Sequence, residues 1–173
     1  VWDEFAHDWG GLAEQAAALR GGEGEDAEGE GPAKVPHGPS ERVVMMKQRL
    51  HQRFFRDAVL SSYENRCCVT GLPLPECLVA GHIIPWSVDE QRRADPTNGV
   101  CMSATFDRLF DAGLMTIEAD MTLRVSERVR GMRDERVAEM VTARHGQEIL
   151  LPTRFHPDPV CLEWHRRERF GGV

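Results

Sequence analysis

The stretch from Asn98 to Gly113, NGVCMSATFDRLFDAG, constrains this chain more than any other part of it. The apolar spacing from Cys101 to Asp111 predicts one short amphipathic helix, and Gly113 is a typical residue to end it. Asp107 and Asp111 stand four residues apart, so their carboxylates lie one above the other on the helix. A negative charge in the last turn opposes the helix dipole, and a bound ligand would explain why Asp111 is there.

The charge of the chain is concentrated at one end. The 173 residues carry a formal net charge of -7, which by itself argues against a nucleic-acid partner. Residues 1–33 hold nine acidic residues and one arginine, whereas the remainder has 20 basic and 19 acidic residues. The acidity therefore belongs to an appendage, and the body of the protein is free to carry basic patches.

Length and local composition divide the chain into three parts. We expect an N-terminal helical segment over 1–20, which could be the end of an upstream domain. A Gly/Glu-rich flexible linker follows over 21–39, because such a composition cannot bury a core. Residues 40–173 are expected to form one domain. The chain starts at Val1 rather than Met, so a longer protein with an upstream recognition domain is one expectation.

Cysteine content and hydropathy indicate a cellular compartment. No apolar run reaches the length of a membrane span, and the acidic N-terminal segment is unlike a signal peptide. The five cysteines include the adjacent pair Cys67-Cys68, which argues against a disulfide framework. Since they also lack the paired spacing of a zinc site, we expect no structural zinc and interpret most of them as small buried hydrophobes. A cytoplasmic protein is predicted.

A long helix is predicted after Pro39-Ser40. Its expected buried side consists of Met46, Leu50, Phe54 and Ala58. A basic stripe lies at positions 42, 49, 53 and 56. Any single arginine on it is most simply a solvated residue, but four in register also predict a surface that contacts phosphates.

The remaining elements are short. Two hairpins are predicted, RCCVT with ECLVAGHII and GLMTIEA with TLRVS. A continuous helix is predicted over 126–146, and a last helix follows an extended segment near the C terminus. Together these elements predict an α+β fold.

The polar residues of the central region suit metal-assisted cleavage of a phosphodiester. His82 lies at a predicted strand end, where a neutral imidazole could take a proton from water. Asp107 and Asp111 offer the oxygen ligands that a hard divalent ion needs, and Asn98 could orient the base. The usual nucleotide-binding and hydrolase motifs are absent from the sequence.

Several motifs resemble the HNH endonucleases. These are FFRDAVLSSYENRCCVTGL, GHIIPW, DPTNGVCMSATFDRLFDAGLMTI and LEWHRRERF, which together span roughly 40–170. The resemblance implies a ββα-metal (His-Me finger) core with flanking helices. It also implies that His82 activates water, that Asn98 fixes the loop carrying it, and that cleavage of DNA leaves 5′-phosphate and 3′-hydroxyl ends.

The sequence departs from the family at two positions. Asp107 occupies the third motif position, where a histidine is common, and Gly81 stands where many members have a metal-binding Asp. We therefore expect one Mg2+ or Mn2+ ion, with Ni2+ as a further option, held by Asp107, Asp111 and His82. His165 is an additional candidate ligand, although a surface position in a basic helix is its simpler interpretation.

The expected partner is DNA, and a restriction or phage-defence role is plausible for the family. The expected backbone contacts come from Arg49, Arg53, Arg56, Arg66, Arg92 and Arg93, with Arg166 as an additional candidate. A dimer is one expected assembly. Two alternatives stay open: a DNA-binding module with the HNH fold that no longer cuts, and a structural or protein-interaction domain.

Overall fold

A computed structural model of the chain describes residues 8–19 and 39–171. Its longer helices are α1 (Trp9–Leu19), α2 (Pro39–Ser62), α3 (Ala104–Asp111) and α6 (Pro159–Glu168). Two short helices, α4 (Glu127–Arg130) and α5 (Glu135–Met140), lie between α3 and α6. The strands are β1 (Leu78–His82), β2 (Gly99–Ser103), β3 (Met115–Ile117) and β4 (Leu123–Val125). The predicted α+β class is confirmed.

The centre of the fold is a two-stranded antiparallel sheet followed directly by a helix. β1 pairs with β2 in a register that runs from Leu78 opposite Ser103 to His82 opposite Gly99. α3 begins at the next residue and packs against both strands. This ββα arrangement confirms the expected core.

The predicted partner of β1 was wrong. The strand pairs with Gly99–Ser103 across the long polar loop, whereas Cys67 and Cys68 lie in an irregular segment. That segment is still tied to the sheet, because the Cys68 N–H donates to the Cys101 carbonyl at 2.7 Å. The predicted helix start at Cys101 was also wrong, because Cys101 to Ser103 complete β2.

The buried face of α2 is rotated from the predicted one. Phe55 and Val59 are the residues buried against the sheet, with exposed fractions of 2% and 0%, while Met46 is exposed. The predicted positions Leu50, Phe54 and Ala58 are only half-buried. A second helix shares this side of α2. The ring of Trp9 lies 6.4 Å from that of Phe54, and Glu14 of α1 pairs with Lys47 at 3.1 Å.

Gly99 shows how closely α2 approaches the sheet. A Cβ at this position would lie 2.5 Å from Cγ2 of Val59 and 2.8 Å from Cζ of Phe55. The first residue of β2 therefore has to be glycine if the helix is to pack directly on the backbone.

The region after α3 contains one confirmed hairpin and one corrected helix. β3 and β4 pair antiparallel, as expected. The continuous helix predicted over 126–146 is instead divided into α4, α5 and a short turn, Thr142–Arg144. The break falls at 131–134, where Asp134 starts α5 by accepting the Val137 N–H at 3.0 Å.

The cysteines are placed largely as expected. Cys67, Cys68, Cys101 and Cys161 are buried, and Cys77 is exposed. Within the described part of the chain, no helix is both long enough and apolar enough to span a membrane.

His165 is a core residue, and its expected surface position was wrong. It is 1% exposed, and its ring stacks on Phe110 with the centroids 3.6 Å apart. Nε2 lies 3.1 Å from the Phe110 carbonyl, which can only accept, so Nε2 carries the proton and donates. Nδ1 then accepts from the Thr116 hydroxyl at 2.8 Å. The neutral ring is thus fully satisfied, which explains how α6 can bury a histidine against α3 and β3.

These contacts predict a pH-dependent stability. Burial lowers the pKa of His165 to about 4, against the opposing effect of the Phe110 carbonyl, and the charges of Arg169 and Arg166 lower it further. Between this value and the ordinary value near 6.5 the unfolded chain binds more protons than the folded one. The free energy of unfolding should therefore fall as the pH drops through this window, by about 3 kcal/mol at most.

The measurement is urea unfolding of wild type and His165→Asn from pH 7.5 to pH 4. The variant should lose this part of the pH dependence while keeping the part due to other groups. An NMR titration of the His165 ring in the wild type gives the pKa directly, and an ordinary pKa there would contradict the account.

Candidate active site

His82 ends β1 at the wall of an open cleft of about 310 Å³. Its imidazole stacks on Phe55 of α2, with ring centroids 3.7 Å apart and planes 10° apart. The other lining residues are Gln52, Arg56, Val79, Ala80 and Trp86. The stacking fixes the plane of the ring, so the sheet and α2 together hold the imidazole at the edge of the cleft.

Nε2 of His82 has two neighbours that favour opposite tautomers. The Arg93 carbonyl lies 3.0 Å away and can only accept, so it favours a proton on Nε2. The Trp86 indole Nε1–H lies 3.0 Å away and can only donate, so it favours a lone pair there. Nδ1 has no hydrogen-bond partner within 8–19 and 39–171, and it is not among the buried, unpartnered atoms. It is therefore open to water.

The environment keeps His82 neutral. Burial lowers its pKa to about 4, and the hydrogen bond with the Arg93 carbonyl opposes that shift. At neutral pH the imidazole is therefore uncharged, as a proton acceptor has to be.

Asn98 closes the loop between β1 and β2. Its side chain is 0% exposed. Oδ1 accepts the Ile84 N–H at 2.8 Å, and Nδ2 donates to the Ile84 carbonyl at 3.0 Å. The Asn98 carbonyl also accepts the Ile83 N–H at 2.9 Å. These bonds secure the two residues that follow His82, which is consistent with the predicted orienting role.

Asp107 and Asp111 lie on α3, and Asp107 faces the other side of the sheet from the His82 ring. Oδ1 of Asp107 lies so close to Gly81 that a Cβ there would overlap it. Burial raises the pKa of Asp107 to about 6, the charge of Asp111 raises it further, and Arg108 lowers it. Burial also raises the pKa of the more exposed Asp111, while Arg169 and Arg108 lower it. The two carboxylates thus form a patch of negative charge with no ion pair within 4 Å in the described residues.

The two aspartates fit a hard divalent ion only as a partial ligand set. In the described part of the chain, neither has an ion pair within 4 Å, and Asp111 contributes to the raised pKa of Asp107. A cation between them would relieve that repulsion. No group of three or more His, Cys, Asp or Glu side chains is placed to hold a metal among residues 8–19 and 39–171. The structure therefore does not gather His82 with the aspartates, and its predicted role as a metal ligand stays a prediction.

The arginines expected at the nucleic acid fall into two groups. Arg49 and Arg53 are exposed on α2 with no partner in the described residues, and Arg56 beside the cleft donates to the Leu78 carbonyl at 3.0 Å. Arg93 lies over the Trp86 ring at 5.6 Å and pairs with Glu90. These four side chains border the His82 cleft or the α2 surface leading to it.

The other three arginines make contacts within the fold. Arg92 pairs with Asp158 at 2.7 Å and lies near Asp89 and Asp95. Arg66 donates to the Gly71 carbonyl at 3.3 Å, and Arg166 donates to the Ile117 carbonyl at 2.9 Å. Arg92 in particular fastens the long loop to the start of α6, so its charge is largely compensated.

Sequence reasoning missed two residues that hold His82. Phe55 was not assigned to the buried side of α2, and Trp86 was assigned no contact with His82. The separation of four residues between His82 and Trp86, with Pro85 directing the chain, was the available signal for the second. The stacking on Phe55 is a non-local contact that had no such signal.

Removing the Asn98 amide should loosen the loop beside His82. Asn98→Ala leaves the buried N–H and C=O of Ile84 without partners, which we expect to cost roughly 3 kcal/mol. Asn98→Asp keeps the acceptor but loses the donor, so we expect a smaller loss. Hydrogen exchange should show much faster exchange of the Ile84 amide in Asn98→Ala, and a smaller change in Asn98→Asp, which keeps the acceptor of this N–H. The Cys68 amide, bonded to Cys101 in the core, is the internal control. Unchanged exchange at Ile84 would contradict this role.

Comparison with known proteins finds a family that the central segment resembles. Residues 67–118 match the model of a family described as HNH endonuclease. No curated protein matches the chain. A solved structure described as a modification-dependent TagI restriction endonuclease is similar over 65% of this chain and 36% of its own, with 16% identity and a TM-score of 0.45. The chain thus spans about a third of the length of that structure. The matched residues contain His82, Asn98 and both aspartates, together with β1, β2 and α3. The segment 67–118 is therefore similar to the HNH endonucleases, as the sequence motifs predicted.

Proposed function

We propose that this protein is a metal-dependent endonuclease that hydrolyses phosphodiester bonds in DNA, with His82 as the general base. The observation that carries the proposal is the arrangement of His82 within the family-matched segment. Its ring is held by Phe55, it is kept neutral by burial, and Nδ1 is open to water at the edge of a cleft. A base needs this combination of fixed orientation and free lone pair.

The proton path follows from the tautomer with the proton on Nε2. In this form Nε2–H donates to the Arg93 carbonyl, Nε2 has no lone pair left to accept the Trp86 indole N–H, and the lone pair of Nδ1 is free. Nδ1 takes a proton from a water molecule as the water oxygen attacks phosphorus and the bond from phosphorus to the 3′ oxygen breaks. The leaving 3′ oxygen takes a proton from solvent and becomes the 3′-hydroxyl. The ring becomes an imidazolium whose Nε2–H remains bonded to the carbonyl, which stabilises the new charge. Asn98 acts as a positioning residue, because it holds the backbone that follows His82.

Asp107 and Asp111 would hold one divalent ion, Mg2+, Mn2+ or Ni2+. When bound, such an ion supplies positive charge to a phosphate oxygen and to the leaving oxygen. The carboxylate of Asp107 fills the space beside Gly81, so position 81 contributes no ligand of its own. We infer that water and the DNA phosphate complete the coordination.

The DNA backbone would approach along α2. Arg49, Arg53 and Arg56 occupy its exposed surface, and Arg56 lines the cleft itself. Such contacts to phosphate give affinity without sequence preference. We accordingly propose that sequence or modification specificity lies outside this domain, in an upstream region of a restriction or defence protein, and that a dimer cuts both strands. Location in the cytoplasm is part of the same proposal.

A DNA-binding module without cleavage is the second candidate. The observation in its favour is that the described residues supply two carboxylates rather than three grouped ligands. This candidate predicts binding that weakens steeply with salt and no cleavage in any divalent ion.

Plasmid cleavage distinguishes the two. Supercoiled DNA is incubated with wild type, His82→Ala, Asp107→Asn and Asp111→Asn in Mg2+, Mn2+ or Ni2+, and with EDTA. We expect nicking by the wild type only with a divalent ion. His82→Ala should reduce the rate by about 10²- to 10⁴-fold, the usual contribution of a general base.

His156→Ala is the matched control, because this histidine is exposed and lies outside the cleft. Its rate should equal that of the wild type. Equal nicking by wild type and His82→Ala would show that the assignment of the base is wrong, and DNA binding without cleavage would favour the second candidate.

A further inference from the structure

We propose that Arg169, at the end of α6, binds a phosphate of the DNA backbone beside the Asp111 carboxylate. This inference rests on the proposed function and extends it. Arg169 lies outside the family-matched segment 67–118. The site would then be built from two separate parts of the chain, with α6 supplying a substrate contact to a core that ends at β3.

The backbone of Arg169 is fixed against the last turn of α3. Its N–H donates to the His165 carbonyl at 3.0 Å, and His165 in turn donates to the Phe110 carbonyl at 3.1 Å. On the other side, the Arg169 carbonyl lies directly against Gly113, where an added Cβ would overlap it. Position 113 therefore favours glycine for two reasons: a Cβ would overlap the Arg169 carbonyl, and the φ of +67° is one that other residues rarely adopt. Arg169 is thereby held close to Asp111, two residues before Gly113.

The side chain of Arg169 is available for a ligand. It is exposed, and it has no hydrogen bond or ion pair within the part of the chain that the structure describes. Its neighbours on α6 are engaged: Arg166 donates to the Ile117 carbonyl, and Arg167 pairs with Glu168 at 2.8 Å. The structure therefore leaves Arg169 with a fixed backbone and a free guanidinium.

Arg169 lies at the same end of α3 as Asp111, because its carbonyl contacts Gly113, two residues after Asp111. In the described residues its guanidinium does not come within 4 Å of a carboxylate, so no ion pair neutralises its charge. A guanidinium in this place can bind the oxygens of a phosphodiester that approaches the aspartates, in bidentate geometry.

Salt-dependent DNA binding tests the inference without catalysis. A fluorescent 20-base-pair duplex is titrated with the full chain in EDTA, at several NaCl concentrations. Arg169→Gln is compared with Arg167→Gln, which removes the same charge from the same helix, and with Arg169→Lys. Circular dichroism checks that each variant is folded.

We expect Arg169→Gln to bind about tenfold more weakly and to reduce the slope of log K against log salt by about 0.9, the loss of one phosphate contact. Arg167→Gln should bind DNA about as well as the wild type. Arg169→Lys should keep the salt slope but lose part of the affinity, because lysine retains the charge without the planar guanidinium that binds phosphate through two hydrogen bonds. Equal effects of the two Gln variants would overturn the inference. If cleavage still depends on His82 in that case, the proposed function stands. If the wild type neither binds the duplex nor cuts plasmid, both the inference about Arg169 and the proposed function are wrong.

Discussion

The two hydrogen bonds between the Asn98 amide and the Ile84 backbone are the contacts on which the site depends. β1 and β2 are joined by a loop of 16 residues, and a connection of this length does not fix the relation of its ends by itself. Asn98 fixes the two ends of the loop relative to each other, because its one buried side chain bonds both the N–H and the carbonyl of Ile84. This closure supports the pairing of the two strands and the position of His82 at the end of β1. It also brings the Arg93 carbonyl within hydrogen-bonding distance of the His82 ring.

The sheet presents different chemistry on its two sides. The His82 ring lies against α2, while the preceding residue, Gly81, meets the Asp107 carboxylate of α3. Adjacent residues of a strand point to opposite faces, so α2 holds the His82 ring while α3 brings the Asp107 carboxylate to Gly81. Gly81 and His82 are the last two residues of β1, so the base and the acid meet the same end of the sheet. The departure at Gly81 then has a structural meaning. The Asp107 carboxylate occupies the space that a side chain at position 81 would need. The two departures from the family pattern, Gly81 and Asp107, are therefore neighbours in the structure.

Much of the core could be predicted because its signals are local. The α+β class, the hairpin after α3 and the last helix follow from short-range patterns, and the ββα core was implied by the resemblance of the motifs to the HNH endonucleases. The partner of β1 could not be found in this way, because pairing across the loop is non-local and the apolar residues at 67–69 fit a strand equally well. The face of α2 was misplaced because α1 covers Phe54 and so gives the helix two partly apolar sides.

His165 illustrates why polar residues are hard to place from sequence. A histidine followed by two arginines suggests a solvated helix, but Thr116 and the Phe110 carbonyl satisfy both ring nitrogens in the core. Only the fold brings those partners together. The same holds for Phe55, whose contact with His82 joins α2 to β1.

The central claim is that Asp107 and Asp111 hold a divalent ion beside Gly81, at the end of β1 that carries His82. Anomalous diffraction from crystals soaked in Mn2+ tests it most directly, with Asp107→Asn crystals as the control. The account predicts a peak in the wild type within coordination distance, about 2.1 Å, of a carboxylate oxygen of each aspartate, and its loss or weakening in the variant. A wild-type map with no peak there, or with its Mn2+ peak bound away from both aspartates, would contradict it.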